Sequence, residues 1–503
     1  MPEGWQNELA RRSAFAEAMG GEAKVARQHE RGKMDARQRI DALLDDGSFH
    51  EVGKLAGKGV YDESGVLQHV SPSNFVFGQG EISGRPVVAS ADDFTVRGGA
   101  SDAAIYQKFI HAEQMAGEYG VPLLRMVDGT GGGGSVKSLE AMGYTYVPAV
   151  PGFEHIAANL KRVPVVALAL GQCAGLGAAR VVASHYSVMV RGLSQVFTAG
   201  PAVVAPLGET HDKESLGGSD IHTRNGVVDD EAVNELEAMA MARAFLSFLP
   251  SRVGGPLPHI ECTDPLDRTD AALRGLVPED KLVAYSVRTV LRSVFDHGSL
   301  FEIGRRWGQG AITAFARLDG WPVTVVASNP AFLGGSWTAD TASKVQRHVE
   351  LAELFRLPVV HLVDNPGFMI GGEAERAATI RRGVEAMSAV YAATVPWATV
   401  ILRKAYGVAG AAMSDHTRFQ YRAAWPSGDW GSLPIDGGVE VAYQSELAAS
   451  DDPAAELAAI KARLAAVSSP FRTAERYGVE DIIDPAQTRP FLTRFIRLAM
   501  QDQ

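Results

Sequence analysis

The chain has 503 residues, a formal net charge of −11 and a hydrophobic fraction of 46%. Its length allows two or three domains with large cores, and its apolar runs reach only about ten residues, too short to span a bilayer. The acidic balance argues against nonspecific nucleic-acid binding. Two cysteines exclude a disulfide framework and a cysteine-rich metal site. Because the N-terminus also lacks the apolar core of a signal peptide, the sequence predicts a cytoplasmic protein.

The first 50 residues or so are predicted to form helices that carry a basic stretch. Ile40, Leu43 and Leu44 lie at helical spacing, and Asp45-Asp46-Gly47 ends the segment. Two interpretations of the basic residues stay open. They form either a solvated face of an amphipathic helix or a contact to a phosphate-bearing ligand.

An internal duplication organises the centre of the chain. The segment GRPVVASADDFTVRGG (84–99) aligns with GWPVTVVASNPAFLGG (320–335), and VPLLRMVDG (121–129) aligns with LPVVHLVDN (357–365). Both pairs are separated by 236 residues. A period of this length indicates two similar domains rather than a solenoid. The alternation of strands with helices in each copy predicts the α/β class.

A Gly/Pro-rich stretch at 250–258 lies between the two copies. Such a composition is typical of a linker. We therefore predict one domain over residues 1–250 and a second over residues 251–503.

Each copy contains a buried strand that runs into a turn of small residues. The two turns are GQCAGLGAAR (171–180) and RKAYGVAGAAM (403–413), and each follows an apolar run introduced by Val-Pro. Small side chains let backbone N–H groups approach a ligand closely. The sequence therefore predicts two places where a negatively charged oxygen is held.

The glycine-rich segment at 128–138, DGTGGGGSVKS, is similar to a phosphate-binding loop without being one. Such a loop needs glycine immediately before Lys-Ser, and Val136 occupies that place. Its position after a buried strand, with a counterpart at 364–368, favours a loop that lines a ligand. A purely structural glycine turn remains the alternative.

Side-chain catalysis finds little support in the sequence. The chain has no G-x-S-x-G elbow and no H-E-x-x-H motif, and we expect Cys173 to be a buried small side chain rather than a nucleophile. The thirteen histidines show no metal-ligand spacing. The chemistry that remains is stabilisation of an oxyanion by paired backbone N–H groups.

Several motifs occur together in the order of one known family. They include DFTVRGG (93–99), YSVMVRGLSQVFTAGP (186–201), SNPAFLGG (328–335), VDNPGF (363–368) and TVILRKAYG (399–407). The chain thereby resembles the β (carboxyltransferase) subunit of biotin-dependent acyl-CoA carboxylases of the propionyl-CoA and methylcrotonyl-CoA carboxylase type. The similarity runs from residue 33 almost to the C-terminus.

The resemblance implies a fold of two duplicated crotonase-like (ββα-superhelix) domains, the first on the acyl-CoA side and the second on the biotin side. It also implies an enzyme that moves CO2 from carboxybiotin to the α (or vinylogous) carbon of an acyl-CoA through an oxyanion-stabilised enolate. Biotin would be carried on a partner protein with biotin carboxylase activity, because this chain has no biotin attachment sequence. The family further implies a homohexamer and no metal in this chain.

Site residues follow from the resemblance by position. The N–H groups of Gly175 and Leu176 would hold the thioester enolate oxygen, and those of Val408 and Ala409 the ureido oxygen of biotin. Further substrate contacts are expected from Ala174, Gly177, Gly131, Gly132, Tyr406, Gly407, Gly410 and Ala411. Further biotin contacts are expected from Pro366, Gly367 and Phe368.

Three departures from the family pattern stand out. The loop after Asp128 lacks the usual arginine, Leu176 replaces a glycine, and Ala411 replaces an aspartate that in the short-chain enzymes helps to select short acyl groups. Ala411 therefore indicates a larger or more apolar acyl group. A decarboxylase or transcarboxylase of the same fold, or a non-catalytic scaffold for the biotin carrier, remain alternative interpretations.

Overall fold

The protein is described by a computed structural model that covers residues 2–100, 103, 105–129, 139–140, 142–147 and 149–501. It divides into two compact units, Met1–Gly255 and Pro256–Gln503. Each unit is built on one seven-stranded mixed sheet. The α/β class predicted from the alternation of strands and helices is therefore present in both units.

The described part of the first unit contains eleven strands. They are β1 (His50–Glu51), β2 (Gly57–Tyr61), β3 (Leu67–Pro72), β4 (Phe75–Ile82), β5 (Arg85–Asp92), β6 (Leu123–Val127), β7 (Val165–Ala169), β8 (Gln172–Ala174), β9 (Tyr186–Val190), β10 (Gln195–Phe197) and β11 (Asp230–Ala232). The main sheet has the order β1-β4-β5-β6-β7-β9-β11, while β2 pairs with β3 and β8 with β10. Pairing is antiparallel up to β5 and parallel from β5 to β11.

Helices of the first unit follow the same chain order. They are α1 (Pro2–Glu17), α2 (Glu22–Glu30), α3 (Ala36–Leu43), α4 (Tyr106–Tyr119), α5 (Phe153–Asn159), α6 (Leu176–Val182), α7 (Pro201–Val204), α8 (Lys213–Gly217), α9 (Ser219–His222) and α10 (Glu235–Ser247), with 3-10 turns at Arg97–Gly99 and Ala205–Leu207. Helix α3 begins at a capping box, in which Asp35 accepts from the Gln38 N–H and Gln38 accepts from the Asp35 N–H. The cap fixes where the basic N-terminal segment ends and the α/β core begins.

The second unit repeats this plan. Its strands are β12 (Phe301–Ile303), β13 (Ala311–Leu318), β14 (Trp321–Ser328), β15 (Val359–Asn365), β16 (Trp397–Tyr406), β17 (Tyr421–Ala424) and β18 (Asp429–Gly431). They form a sheet of order β12-β13-β14-β15-β16-β17 in which β18 also pairs with β16. Pairing is again antiparallel through β14 and parallel from there onward.

The helices of the second unit complete the repeat. They are α11 (Val287–Val294), α12 (Ala339–Phe355), α13 (Gly372–Arg376), α14 (Thr379–Ala392), α15 (Gly407–Ala411), α16 (Ile435–Ala442), α17 (Gln444–Ala449), α18 (Pro453–Val467), α19 (Pro470–Glu475) and α20 (Thr488–Ala499), with 3-10 turns at Ala271–Gly275, Leu333–Gly335 and Pro485–Gln487. The segments that align in the sequence therefore have the same structure. In each unit the strand that begins at Arg85 or at Trp321 is the second strand of a hairpin, and a 3-10 turn follows it. This equivalence is the structural counterpart of the sequence repeat.

Two-residue turns close the hairpin in each unit. Ser83-Gly84 joins β4 to β5, and Asp319-Gly320 joins β13 to β14. All four residues have positive φ, between 53° and 75°. Turns of this kind match the right-handed twist of the flanking strands and favour glycine and aspartate.

The central parallel strands carry the core of each unit. Every residue of β6, β7, β9 and β15 is buried, which is typical of parallel strands covered on both faces. Within the described residues, no helix combines the length and the apolarity that crossing a bilayer requires.

Two histidines are buried in the core of the second unit. His348 on α12 lies with its Nε2 3.0 Å from the Ala314 carbonyl oxygen, and His361 on β15 has its Nδ1 3.1 Å from that of Met413. Burial lowers the pKa of both imidazoles from 6.5 to about 4. The folded protein therefore keeps both rings neutral in a pH range where an unfolded chain would protonate them.

We expect the free energy of unfolding to fall as the pH drops from 6.5 toward 4. Across that range the unfolded state binds the two protons and the folded state does not, so each ring contributes a loss on the order of 3 kcal/mol. Chemical unfolding at several pH values should show that the free energy of unfolding depends less steeply on pH in His348→Gln than in the wild-type protein. The matched control is His297→Gln, since this histidine is exposed; an equal slope in both variants would contradict the assignment.

Candidate active site

The first small-residue turn lies between β8 and α6. Gly175 joins them with a φ of 54° and a ψ of −119°, a backbone conformation that only glycine adopts without strain. Its N–H donates to the carbonyl oxygen of Phe197 at 3.3 Å. This bond forms because the parallel pairing of β8 with β10 continues one residue beyond Ala174.

This bond involves one of the two N–H groups, those of Gly175 and Leu176, that were predicted to hold the oxyanion. No described acceptor is bonded to the N–H groups of Leu176 and Gly177, at the start of α6. The first N–H groups of a helix have no intrahelical partner. The assignment of Gly175 and Leu176 stays a prediction, and the bond to Phe197 favours Leu176 and Gly177 as the proposed donors, with Gly175 contributing the backbone conformation.

The second turn lies between β16 and α15. Gly407 has a φ of 60° and follows Tyr406, whose ring is buried. No described acceptor is bonded to the N–H groups of Val408 and Ala409. The turn therefore presents two adjacent donors, and their assignment to biotin stays a prediction.

Gly410 and Ala411 differ in how they are placed on α15. A Cβ atom on Gly410 would lie 2.6 Å from the carbonyl carbon of Ala405, so only glycine lets α15 pack this closely on β16. Gly410 is accordingly buried, whereas Ala411 is partly exposed. Of these two predicted contacts, Ala411 has the accessible side chain.

The segment Pro366–Phe368 lies beside the second turn. A Cβ on Gly367 would stand 3.8 Å from the Tyr406 carbonyl oxygen. The Gly367 N–H donates to Asn365 Oδ1 at 2.9 Å, and its carbonyl accepts from the Trp337 N–H at 3.0 Å. The fold therefore brings together the two stretches that the resemblance assigns to biotin.

The remaining predicted residues fall into two groups. Ala174 is the last residue of β8 and is contiguous with the first turn. Gly131 and Gly132 lie outside the residues that the structure describes. The first turn belongs to one unit and the second turn to the other.

A basic cavity of about 580 Å³ opens in the first unit. It is lined by Gly171 and Gln172, which begin the first turn, and by Gly98 of the preceding 3-10 turn. No aspartate or glutamate is among its described lining residues. The lining cations are Lys24, Arg27, Arg31, Lys33, Arg97, Arg191 and Lys213.

Helix α2 and its C-cap residue Arg31 supply three of these cations. Lys24, Arg27 and Arg31 are three and four residues apart, a spacing that places them on one helical face. Like Lys213, they have no carboxylate within ion-pair distance among the described residues. Unneutralised cations around a concave surface attract an anion. The phosphate-contact interpretation of the basic segment is thus the one that the geometry favours.

Lys33 also lines the cavity, and its side chain is mostly buried. Its Nζ is 2.5 Å from Oδ2 of the fully buried Asp128 and 4.8 Å from the centre of the Phe94 ring. Burial lowers the pKa of the Lys33 ammonium, and the Asp128 carboxylate opposes that shift. Neither Arg191 nor Lys213 was singled out from the sequence, because both reach the cavity from segments far from α2.

Side-chain nucleophiles and metal sites receive no support from the described residues. The Cys173 thiol is fully buried beside the Val127 carbonyl, and burial raises its pKa well above the ordinary value, so it is not reactive. Nowhere in the described ranges do three or more His, Cys, Asp or Glu side chains form a group that could hold a metal ion. The arrangement offers an anion cavity and two pairs of backbone donors.

Comparison with known proteins agrees with this arrangement. Residues 27–503 match the family model of the carboxyl transferase domain. The propionyl-CoA carboxylase beta chain of Cereibacter sphaeroides is 33% identical over 485 residues, 96% of this chain and 94% of that protein. The methylmalonyl-CoA decarboxylase subunit alpha of Veillonella parvula is 32% identical over 486 residues, 96% of this chain and 93% of that protein.

A solved structure extends the similarity to the fold. The crystal structure of transcarboxylase 12S with methylmalonyl-coenzyme A and methylmalonic acid bound matches with a TM-score of 0.88 and 30% identity. The match covers 100% of this chain and 96% of that one. The predicted crotonase-like fold and the predicted enzyme class are thereby confirmed. This chain belongs to the carboxyltransferase family, as a subunit of the biotin-dependent acyl-CoA carboxylase type.

Proposed function

We propose that this chain transfers CO2 from carboxybiotin, carried on a partner protein, to the α (or vinylogous) carbon of an acyl-CoA. The observation that carries the proposal is the basic cavity, free of described carboxylates, that leads to the first turn. Coenzyme A is a phosphate-bearing ligand, and a cavity lined by cations without carboxylates suits its phosphates. The acyl-CoA side therefore lies in the first unit.

In this proposal the first turn holds the thioester oxygen. The N–H groups of Leu176 and Gly177 donate to that oxygen as it gains charge on removal of the α-proton. Donors that are fixed before the reaction need no reorganisation when charge develops, which is why such pairs lower the barrier. Ala174 lies next to the acyl group, and Gly131 and Gly132 are proposed as contacts from their sequence position alone.

The second turn is proposed to bind biotin. Its ureido group offers a carbonyl oxygen as acceptor, and the adjacent donors of Val408 and Ala409 fit such an oxygen. Tyr406, Gly407 and the segment Pro366–Phe368 would surround the ring system. When bound, the carboxylated cofactor supplies CO2 and a basic ureido nitrogen; this chain's own residues orient the reactants and stabilise the oxyanion.

The identity of the partners follows from the same proposal. We infer a cytoplasmic enzyme that works with a biotin carboxylase and biotin carrier subunit. A hexamer is proposed because the similar transcarboxylase 12S forms a hexamer assembly.

Ala411, with its partly exposed methyl group, supports an acyl group larger or more apolar than propionyl. Decarboxylation by the same turns is the second candidate, favoured by the similarity to methylmalonyl-CoA decarboxylase subunit alpha.

Reconstitution tests the proposed function directly. The purified chain is combined with a biotin carboxylase and biotin carrier pair, ATP and labelled bicarbonate, and a panel of acyl-CoAs of increasing length. We expect label in an acid-stable acyl-CoA product, with the highest kcat/KM for an acyl group longer than propionyl. If every thioester in the panel stays unlabelled, carboxylation is rejected. Biotin-dependent release of CO2 from malonyl-type thioesters would then assign the decarboxylase.

Removing one donor tests the oxyanion role. Leu176→Pro eliminates the N–H at the first position of α6, where proline leaves the helix intact. We expect kcat to fall about 100- to 1,000-fold, the usual loss for one oxyanion donor. Leu176→Ala keeps the N–H and removes the side chain, so it should retain kcat within about threefold. A Pro variant as active as the Ala variant would exclude this N–H from catalysis.

Removing positive charges from the cavity tests whether it binds the phosphates of coenzyme A. The double variant Arg27→Gln/Arg31→Gln should raise KM for acyl-CoA by about tenfold, a loss of about 1.4 kcal/mol, with little change in kcat. The same variant should not affect the acyl-pantetheine thioester, which lacks the nucleotide phosphates. Lys161→Gln is the control, because Lys161 is an exposed cation outside the cavity. Equal KM values for the double variant and the control would remove the cavity from the acyl-CoA site.

A further inference from the structure

We infer that Asp128 and Asp364 are positioning residues, each of which holds the strand end that leads into one of the two donor turns. The inference rests on the proposed function, because it assigns those turns to the two halves of the reaction. Both side chains are fully buried. They occupy equivalent places, 236 residues apart in the repeat.

In the first unit the Asp128 carboxylate lies under the start of the turn. A Cβ on Gly171 would stand only 1.8 Å from Asp128 Oδ1, so the carboxylate packs directly against the backbone of that glycine. Its Oδ1 has no hydrogen-bond partner among the described residues. Its Oδ2 accepts from Lys33 Nζ at 2.5 Å and from Arg39 Nη1 at 2.8 Å.

The same carboxylate reaches the strand through Arg39. The Arg39 Nη2 donates to the Leu170 carbonyl oxygen at 3.0 Å, one residue before Gly171. Glu235 accepts from Arg39 Nε at 2.8 Å and from the Met34 N–H at 2.6 Å. This connected set fixes Leu170 and Gly171, which precede β8 and the donors of Leu176 and Gly177.

In the second unit Asp364 contacts β16, the strand that leads into the second turn. The pairing of β15 with β16 shifts register between Val363 and Asn365, which lie opposite Ile401 and Ala405. Between Ile401 and Ala405, β16 has more residues than the facing part of β15, and these extra residues form a bulge. Asp364 Oδ1 accepts from the Lys404 N–H at 3.1 Å, and its Oδ2 accepts from Arg403 Nε at 3.1 Å. The carboxylate therefore bonds the bulge two residues before Tyr406 and the second turn.

A glycine of the preceding 3-10 turn packs on each aspartate in the same way. A Cβ on Gly99 would lie 2.7 Å from the Asp128 carbonyl oxygen, and one on Gly335 would lie 2.5 Å from that of Asp364. Both glycines have positive φ, 68° and 87°. Each aspartate thus joins two loops at the end of its parallel strand, through its backbone on one side and its carboxylate on the other.

Energetics favour a positioning role over a stabilising one. Removing a carboxylate from water costs several kcal/mol, and a buried ion pair often contributes no more stability than well-packed apolar side chains would. An apolar side chain at either position could not accept a hydrogen bond from Arg39 or from the Lys404 N–H. Misplacing reacting groups by about 1 Å costs on the order of 100-fold in rate. The catalytic gain from accurately placed donors can therefore outweigh the free-energy cost of burying a carboxylate.

The test replaces each aspartate by asparagine and measures the reconstituted holoenzyme. For Asp128→Asn and Asp364→Asn we expect kcat to fall about 100-fold, with KM for acyl-CoA changed less than about tenfold. Amide hydrogen exchange should quicken at 171–178 in the first variant and at 403–409 in the second. Each change should be confined to the turn that its own aspartate holds.

Ion pairs elsewhere provide matched controls. Asp45 pairs with Arg243 in the first unit, and Asp296 with Arg489 in the second, in both cases away from the turns. Asp45→Asn and Asp296→Asn should lower the unfolding temperature while keeping kcat within about twofold. If kcat falls as much in these controls as in the Asp128 and Asp364 variants, the effect comes from lost folding stability, and the inference is overturned.

A charge-balanced variant covers the case in which Asp128→Asn does not fold. Asp128→Asn/Lys33→Met removes one charge of each sign and leaves Arg39 paired with Glu235, so folding should be restored while kcat stays about 100-fold low. Wild-type kcat in this double variant would overturn the positioning role. If the wild-type protein carboxylates no acyl-CoA, the proposed function fails alone; the exchange measurement still decides the positioning role, which unchanged exchange at both turns would overturn.

Discussion

The protein depends on one constraint of helix geometry: the first N–H groups of a helix have no acceptor within the helix. In both units a buried parallel strand runs into a short helix through a glycine with positive φ, Gly175 or Gly407. The chain therefore delivers unpaired donors at the carboxyl end of a rigid sheet. Because these donors belong to the backbone, small neighbouring side chains are enough to expose them, and no charged catalytic side chain is required.

The placement of charge gives this acidic chain a cavity that suits an anionic ligand. The net charge of −11 is a property of the whole molecule, whereas the cavity in the first unit is lined by seven cations and by no described carboxylate. Electrostatic attraction is decided by such local groups. In the proposed function the cavity binds phosphates of coenzyme A, and binding energy from groups that do not react can be used to orient the thioester.

The sequence predicted the features that depend on local pattern, and missed those that depend on distant partners. Repetition at 236 residues and the Val-Pro strands gave the α/β class, the duplication and both turns. The bond from Gly175 to Phe197 could not be predicted, because it comes from pairing between β8 and β10 across a segment with no repeat. For the same reason the cavity contacts of Arg191 and Lys213, and the carboxylate contacts of Asp128 and Asp364, appear only in the folded structure.

Divergence of the two copies is consistent with the different ligands proposed for the two turns. Helices α3 and α11 both lead into the first sheet strand of their unit, but the chain before them differs. Helix α2 precedes α3 and carries cavity cations that have no carboxylate partner among the described residues, whereas residues 256–286, all of which are described, contain only the 3-10 segment Ala271–Gly275. The cations of that stretch are already paired, Arg268 with Asp264, Arg274 with Asp484 and Lys281 with Asp429. The second unit thus repeats the donor turn without repeating unpaired cations in the stretch before it. Such a donor pair suits the neutral oxygen of a ureido group, as proposed, better than the phosphates of coenzyme A.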